Sequence, residues 1–327
     1  MPIPRVSIIT PSYNQAPYLE ATLQSLLRQD YAEMEALVID GGSTDGSPEI
    51  IRKYADRLAY WVSEPDQGQA DAINKGFART QGEIVAWLNS DDLYLPGAVQ
   101  AAVQALQADP ELVLVYGDAL SIDAYGKPFN LQRFPQYTLA DLLGFRIICQ
   151  PAVFFRRSAL EQAGHLDLSY HFLLDHHFWL RLAALGPIRH VPQILAAARH
   201  HPAAKNVAQA ARFGAEARRI AEWLPTCPAL ADQAQQYAHQ IRAGAYRLSA
   251  RYLLDGDQPA AALRDYFQAF LASPAFTLEE ANRILFAALS LPLGSRRLRR
   301  LYDRRRAQRT LELPAGLDLQ DWPGISS

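Results

Sequence analysis

The sequence predicts an α/β core, a mostly parallel sheet with helices on both faces, followed by an all-α C-terminal region. Three observations lead there. Strand-like and helix-like segments alternate through the first hundred residues, which implies βαβ crossovers into a parallel sheet. Polar clusters stand at the carboxyl ends of the strand-like runs. After Lys205 the texture changes to Ala-, Arg- and Gln-rich sequence with helical periodicity and no strand pattern.

Val6 to Thr10 is an apolar run closed by Pro11 and reads as a buried strand. Leu19, Leu23, Leu26 and Leu27 share one face of a helix over Ala16 to Arg28. Leu37 to Ile39 is a second strand ending at Asp40, and a Gly41–Gly46 loop leads to a helix from Glu49 to Ala55. Tyr60 to Val62, a helix over Ala70 to Phe77, and Ile84 to Leu88 complete the alternation. Ligands of open parallel sheets collect at carboxyl strand ends. Pro11 to Gln15, Asp40 to Asp45, Glu64 to Gln69 and Asn89 to Asp92 should therefore converge on one edge. Further on, strands are expected at Leu112 to Tyr116 and Ala152 to Phe155, and a helix around Asp175 to Ala184. Residues 1–205 form the expected catalytic domain and 206–327 an α-helical region. Within that region Ala243 to Pro274 resembles one tetratricopeptide unit, a helical hairpin turning at Asp255-Gly256-Asp257.

Composition narrows the function. With 327 residues, 49% of them hydrophobic, the chain can bury a sizeable core, and a net charge of −2 speaks against a dedicated nucleic-acid binder. Cys149 and Cys227 lack ligand-like spacing and read as reduced thiols. The start MPIPRVSIITPSYN is no signal peptide, and no apolar run reaches the ~20 residues of a membrane span. The expectation is a cytoplasmic protein, with peripheral attachment to the inner face of the membrane as an option.

Two clusters carry chemistry. Asn89-Ser90-Asp91-Asp92 follows an apolar strand, and adjacent buried carboxylates call for a compensating cation; magnesium or manganese, shared with a diphosphate, would serve. The alternative is a turn capping the helix that begins near Pro96-Gly97. In Asp40-Gly41-Gly42-Ser43-Thr44-Asp45-Gly46-Ser47 the glycines permit close backbone approach, and Asp40 can accept from a ring N–H; the alternative is an ordinary βα turn capped by Asp45 or Ser47. The sequence contains neither GxxxxGK[ST] nor, after the first strand, GxGxxG. His176 and His177 point about 100° apart on a helix, so packing or acceptor contact suits them better than a shared zinc.

Thr10-Pro11-Ser12-Tyr13-Asn14, Val38 to Ser47, Asp66-Gln67-Gly68, Asn74-Lys75-Gly76 and Leu88 to Asp92 together resemble the family 2 glycosyltransferases of the GT-A fold, in order and spacing. Gln150 to Arg157, Gly164 to Asp167, Asp175 to Arg181 and Arg199-His200-His201 resemble that family's acceptor half. The resemblance implies transfer of a sugar from a nucleotide diphosphate donor to a glycan or lipid-linked acceptor, in surface polysaccharide biosynthesis, with a divalent cation (Mn2+ or Mg2+). It places Asp40 at the nucleobase, with Pro11 and Tyr13 lining its pocket, and Gly42, Gly68, Asp71, Lys75, Asn89 and Asp91 also at the donor. It implies metal contact by Asp91, Asp92 and His201, and makes Asp175 the catalytic base. Asn89 stands where many members carry the first acid of the motif, and Leu174 where a Glu often precedes the base.

A carboxylate can take the acceptor hydroxyl's proton, and one base opposite the leaving group gives inversion. A carboxylate at position 40 suits uracil, thymine or guanine, with uridine weighted by the family. A sugar nucleotidyltransferase would need a Gly-rich, basic start in place of TPSYNQ. A non-catalytic sugar-nucleotide-binding scaffold is the other alternative, opposed by the joint presence of Asp40, Asp91, Asp92 and Asp175. Arg296 to Arg306, following the apolar run Ile284 to Leu289, has the composition of an element that contacts anionic membrane, or of a solvated basic helix face.

Overall fold

The computed structural model describes residues 3–201, 209–293, 311, 313–314 and 317–326. The chain divides into two compact units. Met1–Tyr137, Ile148–His200 and Leu311–Ser327 form one, and Thr138–Ile147 with His201–Thr310 the other.

The first unit contains β1 (Val6–Ser12), α1 (Ala16–Leu27), β2 (Met34–Asp40), α2 (Ser47–Lys53), β3 (Tyr60–Ser63), α3 (Gln69–Phe77), β4 (Ile84–Trp87), β5 (Leu93–Tyr94), α4 (Ala98–Ala108), β6 (Leu114–Asp123) and β7 (Pro128–Gln132). After α5 (Leu139–Leu143), which belongs to the second unit, come β8 (Val153–Arg156), α6 (Arg157–Ala163), α7 (Leu174–Ala183) and β9 (Ile188–His200). The sheet order is β3-β2-β1-β4-β8-β6-β9-β5, with β7 on β6. The four strands of the first hundred residues that alternate with helices are parallel, as expected. The remainder is mixed: β8 is antiparallel to β4 and β6, β5 to β9 and β7 to β6, while β6 and β9 are parallel. The tight Asp123–Pro128 connection between β6 and β7 leaves no room for a crossover helix, so that pair must be antiparallel.

The core accounts for the two helical layers. Val6 and Ile8 of β1 pack with Ile84 and Ala86 of β4 and Val99 and Val103 of α4, all buried. The intervening Ile9 faces α3, where Gly76 permits the approach; a Cβ there would lie 2.5 Å from Ile9 Cγ2. Each such full burial of a branched aliphatic side chain stabilises by about 1.5–3 kcal/mol relative to exposure. β1 runs two residues past the expected Thr10, through Pro11. Pairing with β4 ends at Ile9–Trp87, so on that side Pro11 lies beyond the last β1–β4 pair.

The second unit adds α8 (Ala210–Trp223), α9 (Ala231–Gln236), α10 (Ala238–Asp255), α11 (Pro259–Ala272), α12 (Pro274–Leu278) and α13 (Ala281–Leu293). α10 and α11 are the hairpin read at 243–274; their cluster joins Ala250, Leu254, Ala262, Tyr266 and Ala287. Tyr252 stacks on Phe213 of α8 at 3.9 Å. Beneath lies a buried ionic knot. Glu280 accepts from Arg247 Nε (2.9 Å), Arg251 Nε (2.8 Å) and the Tyr266 hydroxyl (2.8 Å), and Arg247 lies over the Phe276 ring. Burial alone would raise the Glu280 carboxyl, but Arg251, Arg247 and Tyr266 outweigh it and hold it below its ordinary value.

Two features depart from the expected division at 205. Thr138–Ile147 leaves the sheet unit for the helical one, where Gly144 meets Gly244 closely enough that a Cβ on Gly244 would lie 2.3 Å from the Gly144 carbonyl oxygen. The described residues of 311–326 are not helical. Leu319 is buried with Leu93, Leu95, Leu120, Ile122 and Ala197 of the sheet unit, and Leu311, Leu313, Leu317, Trp322 and Ile325 pack against that cluster. Pro314 and Pro323 disfavour a continuous helix in this segment, and its irregularly spaced apolar residues pack against the cluster from turns and irregular backbone instead. Lys205 and the Arg296–Arg306 run lie outside the described residues. Among the described residues no helix is long and apolar enough to cross a membrane.

Candidate active site

The loops after β1, β2 and β3 are sewn together by side chains. Asn14, at φ +52°, donates its N–H to Ser43 Oγ (2.7 Å), and its side-chain oxygen accepts from the Thr44 N–H (3.0 Å). Asp45 accepts from the Ala16 N–H at the start of α1 and from Ser47. Burial would raise its carboxyl, yet these hydrogen bonds, Ser47's first, hold it low. Asp40 is fully buried at the end of β2 and accepts three hydrogen bonds: Ser43 N–H (2.9 Å), Ser43 Oγ (2.5 Å) and Ser63 Oγ (2.6 Å). Tyr13 is exposed and Pro11 buried on the neighbouring strand end.

Gly41 lets the Asp66 carboxylate come close, since a Cβ there would lie 2.5 Å from Asp66 Oδ2 and would push that side chain aside. Gly68, at φ +108°, donates its N–H to Asp66 Oδ1 (2.8 Å). Burial pushes the Asp66 carboxyl up despite that bond and the nearby Lys75. Asp71 accepts from the Gln67 N–H, and Lys75 Nζ lies 3.1 Å from Glu64 and 3.7 Å from Asp71. Asn74 makes a two-way clasp with the backbone of Leu166, tying α3 to the Gly164–Asp167 segment.

At the end of β4, Asn89 is fully engaged. Its oxygen accepts from Gln69 Nε2 (2.8 Å), and its amide nitrogen donates to Gln150 Oε1 (2.9 Å) and Asp92 Oδ2 (3.2 Å). Gln150 in turn donates to the Trp87 carbonyl. These donations require an amide at 89; an acid there would also set a third carboxylate beside Asp91 and Asp92. Thr22 Oγ1 of α1 lies 3.0 and 2.8 Å from the Ser90 and Asp92 carbonyls. The Asp92 carboxylate is buried and turned inward, accepting from the Arg199 N–H (2.9 Å) as well as Asn89. Burial first, then the charge of Asp91, pushes its carboxyl well above the ordinary range. Asp91 is half-buried at the surface of the same turn.

Farther along the chain, Leu174 is buried and Asp175 half-buried in the first turn of α7, Asp175 accepting the His176 N–H (2.7 Å). Burial raises the Cys149 thiol, and the charges of Asp92 and Asp175 raise it further. His176 and His177 are buried, and His177 stacks on Tyr170 at 4.3 Å, in line with packing. His201 is buried and belongs to the helical unit. Among the described residues no group of three or more His, Cys, Asp or Glu is arranged to hold a metal ion. A surface cavity of about 580 Å³ lined by Ile3, Pro4, Tyr31 and Gln104 lies at the opposite, amino-terminal ends of β1 and β2, away from this chemistry.

Ser43, Ser63, Gln69, Gln150, Thr22 and Arg199 were not singled out as site residues in the sequence. Arg199 alone had a legible signal: a lone cation after Ala196-Ala197-Ala198 in a strand must find partners.

The model of Glycosyl transferase family 2 matches residues 7–164. An uncharacterized glycosyltransferase of Mycobacterium tuberculosis is 34% identical over 188 residues, covering 55% of this chain and 69% of that protein. A PGL/p-HBAD biosynthesis glycosyltransferase of Mycobacterium bovis is also 34% identical over 188 residues, covering 55% and 70%. Among solved structures, residues 1–349 of S. aureus TarS superpose with a TM-score of 0.60 at 17% identity, over 89% of this chain and 92% of that one. The mannosyltransferase PcManGT from Pyrobaculum calidifontis, in complex with GDP-Man and Mn2+, gives 0.58 at 24% identity, over 94% and 85%. The fold of these structures is the fold seen here, and the chain belongs to glycosyl transferase family 2: it is a glycosyltransferase of the GT-A fold.

Proposed function

We propose that this chain moves a sugar, with inversion, from a nucleotide diphosphate sugar (UDP-sugar favoured) to a glycan or lipid-linked acceptor of surface polysaccharide biosynthesis. The observation that carries the reading is a pair of hydrogen-bonded runs along the strand ends, one from Asn14 through Ser43 and Asp40 to Ser63, the other from Gln69 through Asn89 to Asp92. These bonds tie strand-end loops to one another, which supports the preorganisation a donor site needs. Solved relatives of this fold, TarS and PcManGT, were obtained in complex with UDP-GlcNAc and with GDP-Man.

Asp40 reads the base through Oδ2. The exposed Ser63 hydroxyl holds the place that a ring N–H takes, while both Ser43 bonds persist. Pro11, Tyr13 and Gly42 line that pocket; Gly68, Asp71 and Lys75 flank the sugar and phosphates. The residues fit a hard divalent cation, manganese or magnesium, held through one outward carboxylate, Asp91, with Asp92 behind it and the remaining ligands from diphosphate oxygens. The adjacent acids of this turn, Asp92 buried and Asp91 half-buried, with the Asp92 carboxyl pushed up by burial and by Asp91, are the observation that favours a cation. His201 is the further ligand suggested by resemblance. When bound, the cation stabilises charge on the departing diphosphate. Asp175 accepts the acceptor hydroxyl's proton. The peripheral-membrane reading of Arg296–Arg306 gains support from Leu285 and Leu289, exposed on α13 just before it. Calorimetric titration of UDP and GDP with manganese or with chelator tests the donor site; equal binding in both conditions rejects the cation, and absence of binding rejects the edge.

A further inference from the structure

Arg199 is 5% exposed, and among the described residues its guanidinium bonds to backbone carbonyls. Nε donates to the Asp91 carbonyl (2.9 Å), one terminal nitrogen lies 3.2 and 3.4 Å from the Asp123 and Ala124 carbonyls, and the other donates to the Gly324 carbonyl (3.3 Å). The guanidinium also sits 5.1 Å from the Tyr18 ring centroid. Its own backbone N–H holds the Asp92 carboxylate. One residue thus joins the acidic turn, the β6–β7 turn and the 311–326 segment.

That segment is fastened on both sides of the contact. Trp322 Nε1 donates to the Tyr94 carbonyl (2.8 Å) on β5, two residues past Asp92. Arg28 donates to the Asp321 carbonyl (2.9 Å), and the Ser326 N–H to the Gly126 carbonyl (3.0 Å). Gly324, at φ +73°, is pressed so close that a Cβ would lie 3.1 Å from the Arg199 guanidinium and 2.8 Å from the Ala21 Cβ.

We propose that residues 317–326 form a positioning strap for the acidic turn: the strap fixes the Arg199 guanidinium, and Arg199 fixes Asp91 and Asp92 where donor diphosphate and cation bind. Arg199 is a positioning residue, because its donors are used on the protein's own backbone. Lysine could not replace it, since a single ammonium cannot reach carbonyls on three separate segments. The inference rests on reading the turn as the diphosphate end of the donor site.

The test uses the full chain and reads UDP and GDP binding by calorimetry across a manganese titration. Arg199→Lys and Trp322→Ala should raise the manganese concentration for half-maximal nucleotide binding by about 10- to 100-fold, as loss of outer partners of metal ligands does. Trp322→Phe, which keeps the ring and loses the bond to Tyr94, should shift it less. Leu106→Ala, in the core cluster of α4, is the control for stability alone: it should lower the melting midpoint and leave the manganese midpoint unchanged. If Trp322→Ala fails to fold, Trp322→Phe and Arg199→Lys carry the comparison. A manganese midpoint unmoved in the folded variants, or moved equally by Leu106→Ala, overturns the strap. Wild-type-like binding by Asp91→Asn would instead overturn the donor-site reading beneath it.

Discussion

Asp40→Asn separates the loop-building task of this carboxylate from its proposed contact with the base. The fold should tolerate it: the amide oxygen keeps the Ser43 N–H and Ser63 bonds on one side, and the new NH2 faces Ser43 Oγ, a hydroxyl that can rotate to accept. The expected cost is about 1 kcal/mol, a fall of roughly 2–4 °C in melting midpoint. Nucleotide binding loses more. A hydrogen bond to a charged acceptor contributes about 1.5–3 kcal/mol, of which ~0.5–1 offsets release of the Ser63 hydroxyl to water, leaving about 1–2 kcal/mol. UDP affinity with saturating manganese should therefore fall about 5- to 30-fold. Calorimetry on wild type and variant, with melting curves of both, measures the two effects. Unchanged affinity for UDP and GDP in a folded Asp40→Asn protein would refute the base-reading role and leave Asp40 as a loop carboxylate only.

Asp175→Asn should cut transfer by about 10²–10⁴-fold while UDP affinity stays near wild type, measured once an acceptor is in hand; wild-type turnover would place the base elsewhere. Asn89→Asp should lower the melting midpoint, because it removes the donations to Gln150 and Asp92 and adds negative charge beside Asp91; manganese should restore part of the loss, and a midpoint unchanged without metal would contradict the network. Glu280 is held below its ordinary value of 4.5, so its contribution to stability is present above that pH and is lost as pH falls through the lower folded value. Wild type should lose stability more steeply than Glu280→Gln below pH 4.5, and parallel acid melting curves would count against the knot.

The parallel half of the sheet was legible because its signals are local: Val6 to Thr10, Leu37 to Ile39 and Ile84 to Leu88 each combine an apolar run with a polar stop. Candidate donor residues were found at strand ends for the same reason. Their partners were not. Asp40 is met by Ser63, 23 residues on, and Asp92 by the Arg199 backbone, 107 residues on, distances at which spacing carries no information. Residues 311–326 escaped notice because Leu313, Leu317, Leu319, Trp322 and Ile325 follow neither the helical nor the strand period. The helical reading of the chain's last stretch failed there, since two prolines and buried contacts with β5, β6 and β9 outweigh composition.

The interleaving of the two units in sequence governs how this enzyme can be taken apart. A cut near 205 does not yield a free-standing catalytic piece. It would discard Leu311–Ser327, baring Leu93, Leu95 and Leu120, and leave behind an excursion at Thr138–Ile147 whose Leu142, Leu143 and Phe145 are buried within the other unit. Such a fragment would present two unrelated greasy surfaces and should self-associate. Swapping the helical region between relatives therefore calls for four splice points rather than one, near 138, 147, 201 and 311, and a library built on a single junction would select against its own products.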